Sequence, residues 1–310
     1  MTEQSILITG ANGLIGRNLL ARLSREGRRV IGIDLTSRDD KDPVFACSLT
    51  DTHRLYALAR QYAITDIIHC GAVSGPMVMI DNPYGIINTN VIGSANVMEM
   101  ARVMEMRRLV FCSSNSAVGP TNIDDEVITE QVQLKPSSVY GASKAACELL
   151  LAAYRKQHGQ DNVSIRLSWV YGPGRTTDCV IRSLITSVLQ HQEFKCSWGA
   201  DFYRQYIYVD DAISSLLAAL DAQECPENVY TATGGSYLTL SDIATMVQEV
   251  LGKGKIQFAP GPDPLDDIQQ EFDISAISRD LGFIPQYSLS QGIRAYADWL
   301  APLISQENNA

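Results

Sequence analysis

A glycine-rich turn, Gly10-Ala11-Asn12-Gly13-Leu14-Ile15-Gly16, joins an apolar run, Ser5–Thr9, to an amphipathic one, Leu14–Glu26. Few folds accommodate it. A buried strand that turns straight into a helix needs a glycine at the tight turn. It needs another where helix and strand pack closely, and the middle glycine lets a pyrophosphate approach the backbone. The helix start offers unpaired N–H groups and the positive end of the dipole. The spacing G-x-x-G-x-x-G is one residue longer at its first step than the usual dinucleotide fingerprint, with the same chemistry. Gly10, Asn12, Gly13, Leu14, Ile15 and Gly16 are therefore candidate dinucleotide contacts.

The rest of the first half repeats the strand–helix alternation. Leu19, Leu20 and Leu23 recur at helical spacing before Gly27 stops the helix. Arg29–Ile33 reads as a strand, Asp51–Tyr62 as a helix and Asp66–Cys70 as a strand. Asn90–Met106 reads as a long helix, Arg108–Cys112 as a strand, Ser138–His158 as a long helix and Asn162–Leu167 as a strand. This pattern predicts an α/β fold, a doubly wound parallel sheet covered on both faces. Beyond it, Asp178–Gln190, Asp210–Leu220 and Thr239–Leu251 read as helices, Tyr203–Val209 and Val229–Ala232 as strands, and Ala259–Asp267 as a proline-rich loop. The expected division is a dinucleotide-binding domain over 1–167, with 203–209 and 210–235 returning to it. Residues 168–202 and 236–310 would form a smaller C-terminal substrate-binding lobe.

Acidic residues outnumber basic ones, 35 to 25, for a formal charge of −10. Nucleic-acid binders need surplus Lys and Arg to replace counterions, so no nucleic-acid partner is expected. No apolar window approaches the ~20 residues that span a bilayer, and no signal peptide is visible. Seven scattered cysteines show no C-x-x-C pair. They predict reduced thiols in a cytoplasmic protein and no metal site.

Asp34 closes the second strand, where an acid would accept hydrogen bonds from adenosine ribose hydroxyls and repel a 2′-phosphate. NAD is thus expected over NADP. Tyr140 and Lys144 stand four apart at the start of a helix, on one face. An ordinary phenol titrates near 10 and is a poor base at neutrality; a neighbouring cation favours its phenolate. Tyr-x-x-x-Lys alone is usually a surface pair, and the glycine turn upstream gives it weight. Ser113-Ser114-Asn115-Ser116 ends the fourth strand, at the carboxyl edge where open α/β sheets bind ligands.

Together, Gly10/Gly13/Gly16, Asp34, Ser114 and Tyr140/Lys144 resemble the extended short-chain dehydrogenase/reductase superfamily, with its Rossmann fold and its NAD-dependent epimerases and dehydratases of the UDP-galactose 4-epimerase type. His69-Cys70-Gly71-Ala72, Asn90-Val91-Ile92-Gly93-Ser94, Val170-Tyr171-Gly172-Pro173-Gly174, Arg204 through Asp211, and Leu281-Gly282-Phe283-Ile284-Pro285 extend the likeness over nearly the whole chain. The resemblance implies Tyr140 as general acid/base, Lys144 on the nicotinamide ribose and Ser114 on the substrate hydroxyl. It adds Ser48, Leu49, Cys70, Gly71, Ala72 and Asn90 as cofactor contacts. Ser74, Ser114, Asn115, Ser116, Trp169 and Arg204 become substrate contacts, and a homodimer through the two long helices is implied.

The departures bear on substrate. Ser48 stands where the family often has Asp. Ser114-Asn115-Ser116 replaces the Thr-Asp-Glu of dehydratases, so a 4,6-dehydratase is not expected. Trp169 and Asp263 replace an Asn and an Arg that nucleotide-sugar enzymes use; Asp263 would repel a diphosphate if it faced the pocket, and Arg175 or Arg182 could substitute as the cation. The reading is an NAD-dependent dehydrogenase or epimerase acting on a secondary hydroxyl of a small sugar or sugar acid, with Arg204 free for a carboxylate or single phosphate. The alternatives are a UDP- or dTDP-sugar 4-epimerase and a non-catalytic NAD sensor.

Overall fold

The computed structural model describes residues 4–38, 43–122, 127–177, 179–252 and 254–307. Strand β1 (Ser5–Thr9) leads into helix α1 (Leu14–Arg25), strand β2 (Arg29–Asp34) and the short β3 (Val44–Ala46). Helix α2 (Thr52–Gln61) and strand β4 (Asp66–His69) follow. Helices α3 (Pro83–Ile87) and α4 (Gly93–Val103) are joined by a π turn, Asn88–Ile92. Strand β5 (Arg108–Ser114), helix α5 (Val139–His158) and strand β6 (Asn162–Leu167) complete the first half. Then come β7 (Trp169–Tyr171), α6 (Val180–Leu189), β8 (Glu193–Cys196), β9 (Tyr203–Tyr208) and α7 (Val209–Asp221). The chain ends with β10 (Val229–Ala232), β11 (Tyr237–Thr239), α8 (Leu240–Leu251), β12 (Lys255–Phe258), α9 (Ser275–Leu281) and α10 (Leu289–Glu307).

Among the described residues, seven strands form a parallel sheet in the order β10-β6-β5-β4-β1-β2-β3. Its centre is apolar on both faces, and side chains alternate between them. Ile6, Ile8, Ile68, Val110 and Ile165 join a core with α1, α6 and α7. Leu7, Ile31, Ile67, Leu109 and Phe111 join another with α2, α4 and α5. Burying each such side chain contributes roughly 1.5–3 kcal/mol, so a one-residue slip of β1 would exchange its core sets.

Most expected elements form within two or three residues of their predicted ends. The long helix expected over Asn90–Met106 starts as the π turn and stops at Val103. The helix expected from Asp178 is seen from Val180; Asp178 lies outside the described residues. Strand 203–209 is a correction: β9 does not extend the large sheet. The edge beside β6 is taken by β10, and β9 pairs instead with β7 and β11 in a second sheet. Helix α7 does pack on β5 and β6, so 210–235 returns to the large sheet and β9 does not. Among the described residues, no helix is long and apolar enough to cross a membrane.

Candidate cofactor cavity and catalytic centre

A cavity of about 690 Å³ opens over the carboxyl ends of β1, β2, β4, β5 and β6. At one end lies the glycine turn. Gly10 has φ +67°, and a Cβ there would come within 2.8 Å of the Gly71 backbone; one on Gly16 would lie 2.2 Å from the Gly10 carbonyl oxygen. The turn is therefore a cradle that side chains would destroy. Helix α1 begins at Gly13 with no side-chain cap, leaving first-turn N–H groups to an anion at the cavity wall formed by Gly13, Leu14, Ile15 and Gly16. Asp34 also lines the cavity, its carboxylate accepting from the Asn12 N–H at 2.8 Å and the Leu35 N–H at 2.7 Å. Asn12 lines it too, with a buried Oδ1 that has no hydrogen-bond partner. A dinucleotide fits this set: orphan donors for phosphate, a carboxylate for ribose hydroxyls.

Ser48 and Leu49 form part of the same wall, as do Cys70, Gly71 and Ala72. The latter run is fixed from beneath. Thr9 Oγ1 accepts the Gly71 N–H at 2.9 Å and meets His69 Nδ1 at 2.6 Å, while His69 Nε2 meets Ser94 Oγ at 2.8 Å. Burial, helped by Lys144, holds His69 down to about 3, so the ring is a neutral strut. Asn90 departs from its expected place. It does not line the cavity, because its amide is spent on both backbone groups of Val73, at 2.8 and 3.0 Å, and on Ser143 Oγ at 3.0 Å. It shapes the loop that Ser74 carries along the cavity wall.

The other end holds Ser114, Asn115, Ser116, Tyr140 and Lys144. Helix α5 is capped by Ser138, whose hydroxyl accepts the Gly141 N–H at 3.0 Å. Its buried stripe contains Tyr140, Lys144, Glu148 and Leu151, the three-and-four spacing of one face. Lys144 Nζ donates to the Cys112 carbonyl at 2.7 Å and lies 5.9 Å from the Tyr140 ring centre. Ser114 Oγ accepts the Ser116 N–H at 3.2 Å. Asn115 is clamped by Gln269, its Nδ2 donating to Oε1 at 2.7 Å.

Sequence reasoning missed the support beneath these groups. Arg166 and Glu148 form a fully buried pair at 2.7 Å, and Ser113 Oγ donates to Glu148 at 2.5 Å. An acid one turn beyond Lys144 on the buried face was the available signal. Met77, Thr176 and Thr177 also line the cavity unannounced, beside Arg175, which the sequence offered as a substitute cation.

Trp169 lines the cavity, but Arg204 does not. The guanidinium stacks behind the Trp169 ring at 4.2 Å and is paired with Asp263 and, at 3.1 Å, Asp266. Arg204, Asp263 and Asp266 side chains are only 4, 8 and 10% exposed. The expectation of a free Arg204 is thus corrected: two buried carboxylates neutralise it. Asp263, which the sequence left as a possible repeller of diphosphate, is its partner.

Asp266 is pushed up to about 6, chiefly by burial, against the pull of Arg204 and with Asp263 adding to the rise. The folded protein therefore holds a proton that the unfolded chain releases near pH 4, so this group weakens the fold as pH rises from about 4 to 6. Asp266→Asn should be more stable than the natural chain above pH 6, by up to about 3 kcal/mol, with no gain below pH 4. Urea unfolding across that range measures it.

The match to known proteins is extensive. Residues 6–231 match the model of the NAD dependent epimerase/dehydratase family. The chain belongs to that family. NAD is its cofactor. A UDP-glucuronate 4-epimerase from Thermodesulfobacterium geofontis is 24% identical, over 94% of this chain and 95% of its own. A UDP-glucose 4-epimerase of Thermus thermophilus, solved with NAD, is 26% identical with a TM-score of 0.84, covering 96% of this chain and 98% of that one. A dTDP-glucose 4,6-dehydratase of Bacillus anthracis has the same fold, with a TM-score of 0.85 at 21% identity, over 96% of this chain and 97% of its own.

For a family member with Asp34 at this wall, NAD should bind more tightly than NADP, because a 2′-phosphate would meet the carboxylate. Titration of each cofactor into stripped protein tests this; equal affinity would remove the role assigned to Asp34.

Proposed function

We propose that this protein oxidises a secondary hydroxyl of a small sugar or sugar acid, as a dehydrogenase or as an epimerase that later reduces the same carbon from its other side. The observation that supports it is the meeting of Ser114, Tyr140 and Lys144 at one end of a cavity whose other end is the glycine cradle. NAD, when bound, supplies the hydride acceptor. Tyr140 takes the hydroxyl proton, Ser114 hydrogen-bonds the reacting oxygen, and Lys144, anchored on the Cys112 carbonyl, stands 5.9 Å from the Tyr140 ring centre. Its position beside the cavity suits it to a cofactor ribose as well.

The locked Arg204 supports the substrate class. A diphosphate needs several fixed donors or cations, and here the cation behind Trp169 is already matched by Asp263 and Asp266. The exposed face of Trp169 suits the C–H face of a sugar ring. Elimination of water needs an acid/base pair, which Ser114, Asn115 and Ser116 do not provide; dehydration is therefore not part of the proposal. A second reading, a nucleotide-sugar 4-epimerase, is favoured by what the similar proteins are named for. We further propose a cytoplasmic homodimer, supported by free cysteines and by exposed Val103 and Leu149 on the neighbouring helices α4 and α5.

The test is a panel of free sugars, sugar acids and nucleotide sugars with NAD, followed at the nicotinamide absorbance and by product analysis. NADH accumulation identifies a dehydrogenase; product without NADH identifies an epimerase. Turnover of a UDP- or dTDP-sugar alone would overturn the substrate class, and no turnover of any alcohol would overturn the catalytic reading in favour of a sensor.

A further inference from the structure

The proposed chemistry leaves three cavity thiols, Cys47, Cys70 and Cys112, without a role, and the last two are neighbours. Strand pairing sets His69 opposite Phe111, which places Cys70 beside Cys112 in the next rung. Side chains alternate across strands, so both thiols leave the face taken by the His69 and Phe111 rings. Both pack against the opposite core cluster, and both line the cofactor cavity. Neighbouring strands lie ~4.8 Å apart, within the Cα separation that a disulfide accepts. The two thiols perturb each other, and with Lys144 nearby Cys112 is held below the usual thiol range while Cys70 is raised. Burial instead pushes Cys47 up to about 11 and raises Cys147 and Cys225. Two adjacent thiols on a cavity wall, one of them lowered towards its reactive form, are the arrangement of an oxidisable pair.

We propose that Cys112 and Cys70 form a modification site for hydroperoxides on the wall of the cofactor cavity, which bound NAD covers. The Cys112 thiolate attacks one peroxide oxygen and the O–O bond breaks. Cys112 becomes a sulfenic acid, and the other oxygen takes a proton and leaves as water or an alcohol. Cys70 then attacks the sulfenic sulfur, its own proton going to the departing hydroxyl. An S–S bond forms and water leaves. The two thiols are oxidised by two electrons, and the peroxide is reduced.

Hydrogen peroxide treatment of the full chain, followed by non-reducing peptide mapping, should find a Cys70–Cys112 disulfide, two hydrogens lighter than the dithiol. Cys70→Ser should instead trap a Cys112 sulfenic acid that dimedone labels, and Cys112→Ser should form neither. NAD at about a hundred times its Kd should slow the natural chain's oxidation roughly a hundredfold. NAD binding is titrated separately, so a failure to bind is distinguished from a failure to protect. Oxidation of Cys112 that stops at sulfinic acid, disulfides to other cysteines, or equal rates with and without bound NAD would overturn the proposal. The protection measurement uses the natural chain, so it stands even if a variant fails to fold.

Discussion

Tyr140→Phe should lower turnover by roughly 10²–10⁴-fold, the range of general acid–base catalysis, and leave NAD affinity largely intact. The ring is buried on the inner stripe of α5, and phenylalanine keeps its shape. Lys144 still reaches the Cys112 carbonyl in the variant, since that bond does not involve the phenol. Only the proton acceptor is removed. Steady-state rates on the substrate found by the panel, with calorimetric titration of NAD, separate the two effects. Lys144→Ala should harm both, because the side chain lines the cavity and stands beside the Tyr140 ring. Near-normal turnover in Tyr140→Phe would show that another group is the base.

Arg204→Leu should destabilise the protein by about 3–5 kcal/mol, the cost of leaving a buried partner charge unmatched. Two carboxylates depend on this guanidinium, and it also backs the Trp169 ring. Denaturant unfolding at pH 7 gives the loss, and acidification should recover part of it by protonating the stranded acids. A substrate-binding arginine would behave differently: KM would rise while the unfolding midpoint hardly moved. That outcome would restore the role the sequence suggested and reopen the diphosphate question.

The contrast between Tyr140 and Arg204 shows what a sequence discloses. Tyr140 and Lys144 lie within one helical turn, and Gly10 to Gly16 within one loop, so spacing alone brings each set together. The alternation of apolar runs set out β1, β2, β4, β5 and β6 for the same reason. Arg204 meets Asp263 across a long stretch of chain, where no periodicity speaks. The three-residue strands β3, β7 and β11 are too short to show alternation. Strand β9 reads as a strand, yet nothing local says which sheet it joins. Asn90 was recognised as a site residue, but its hydrogen bonds to Val73 are tertiary, so its indirect role was invisible. The pairing of Cys70 with Cys112 likewise depends on register between β4 and β5.

The last strand of the large sheet, β10, comes from residues 229–232, far beyond β6, which it borders. During synthesis, everything through Leu167 leaves the ribosome before that neighbour exists. In the interval β6 presents a bare row of amide and carbonyl groups, and the face that α7 covers is wet. Such an edge invites pairing with another chain. A fragment cut after Leu167 would hold every cradle residue for NAD and still be prone to aggregate, so the dinucleotide-binding half is a poor candidate for transplantation by itself.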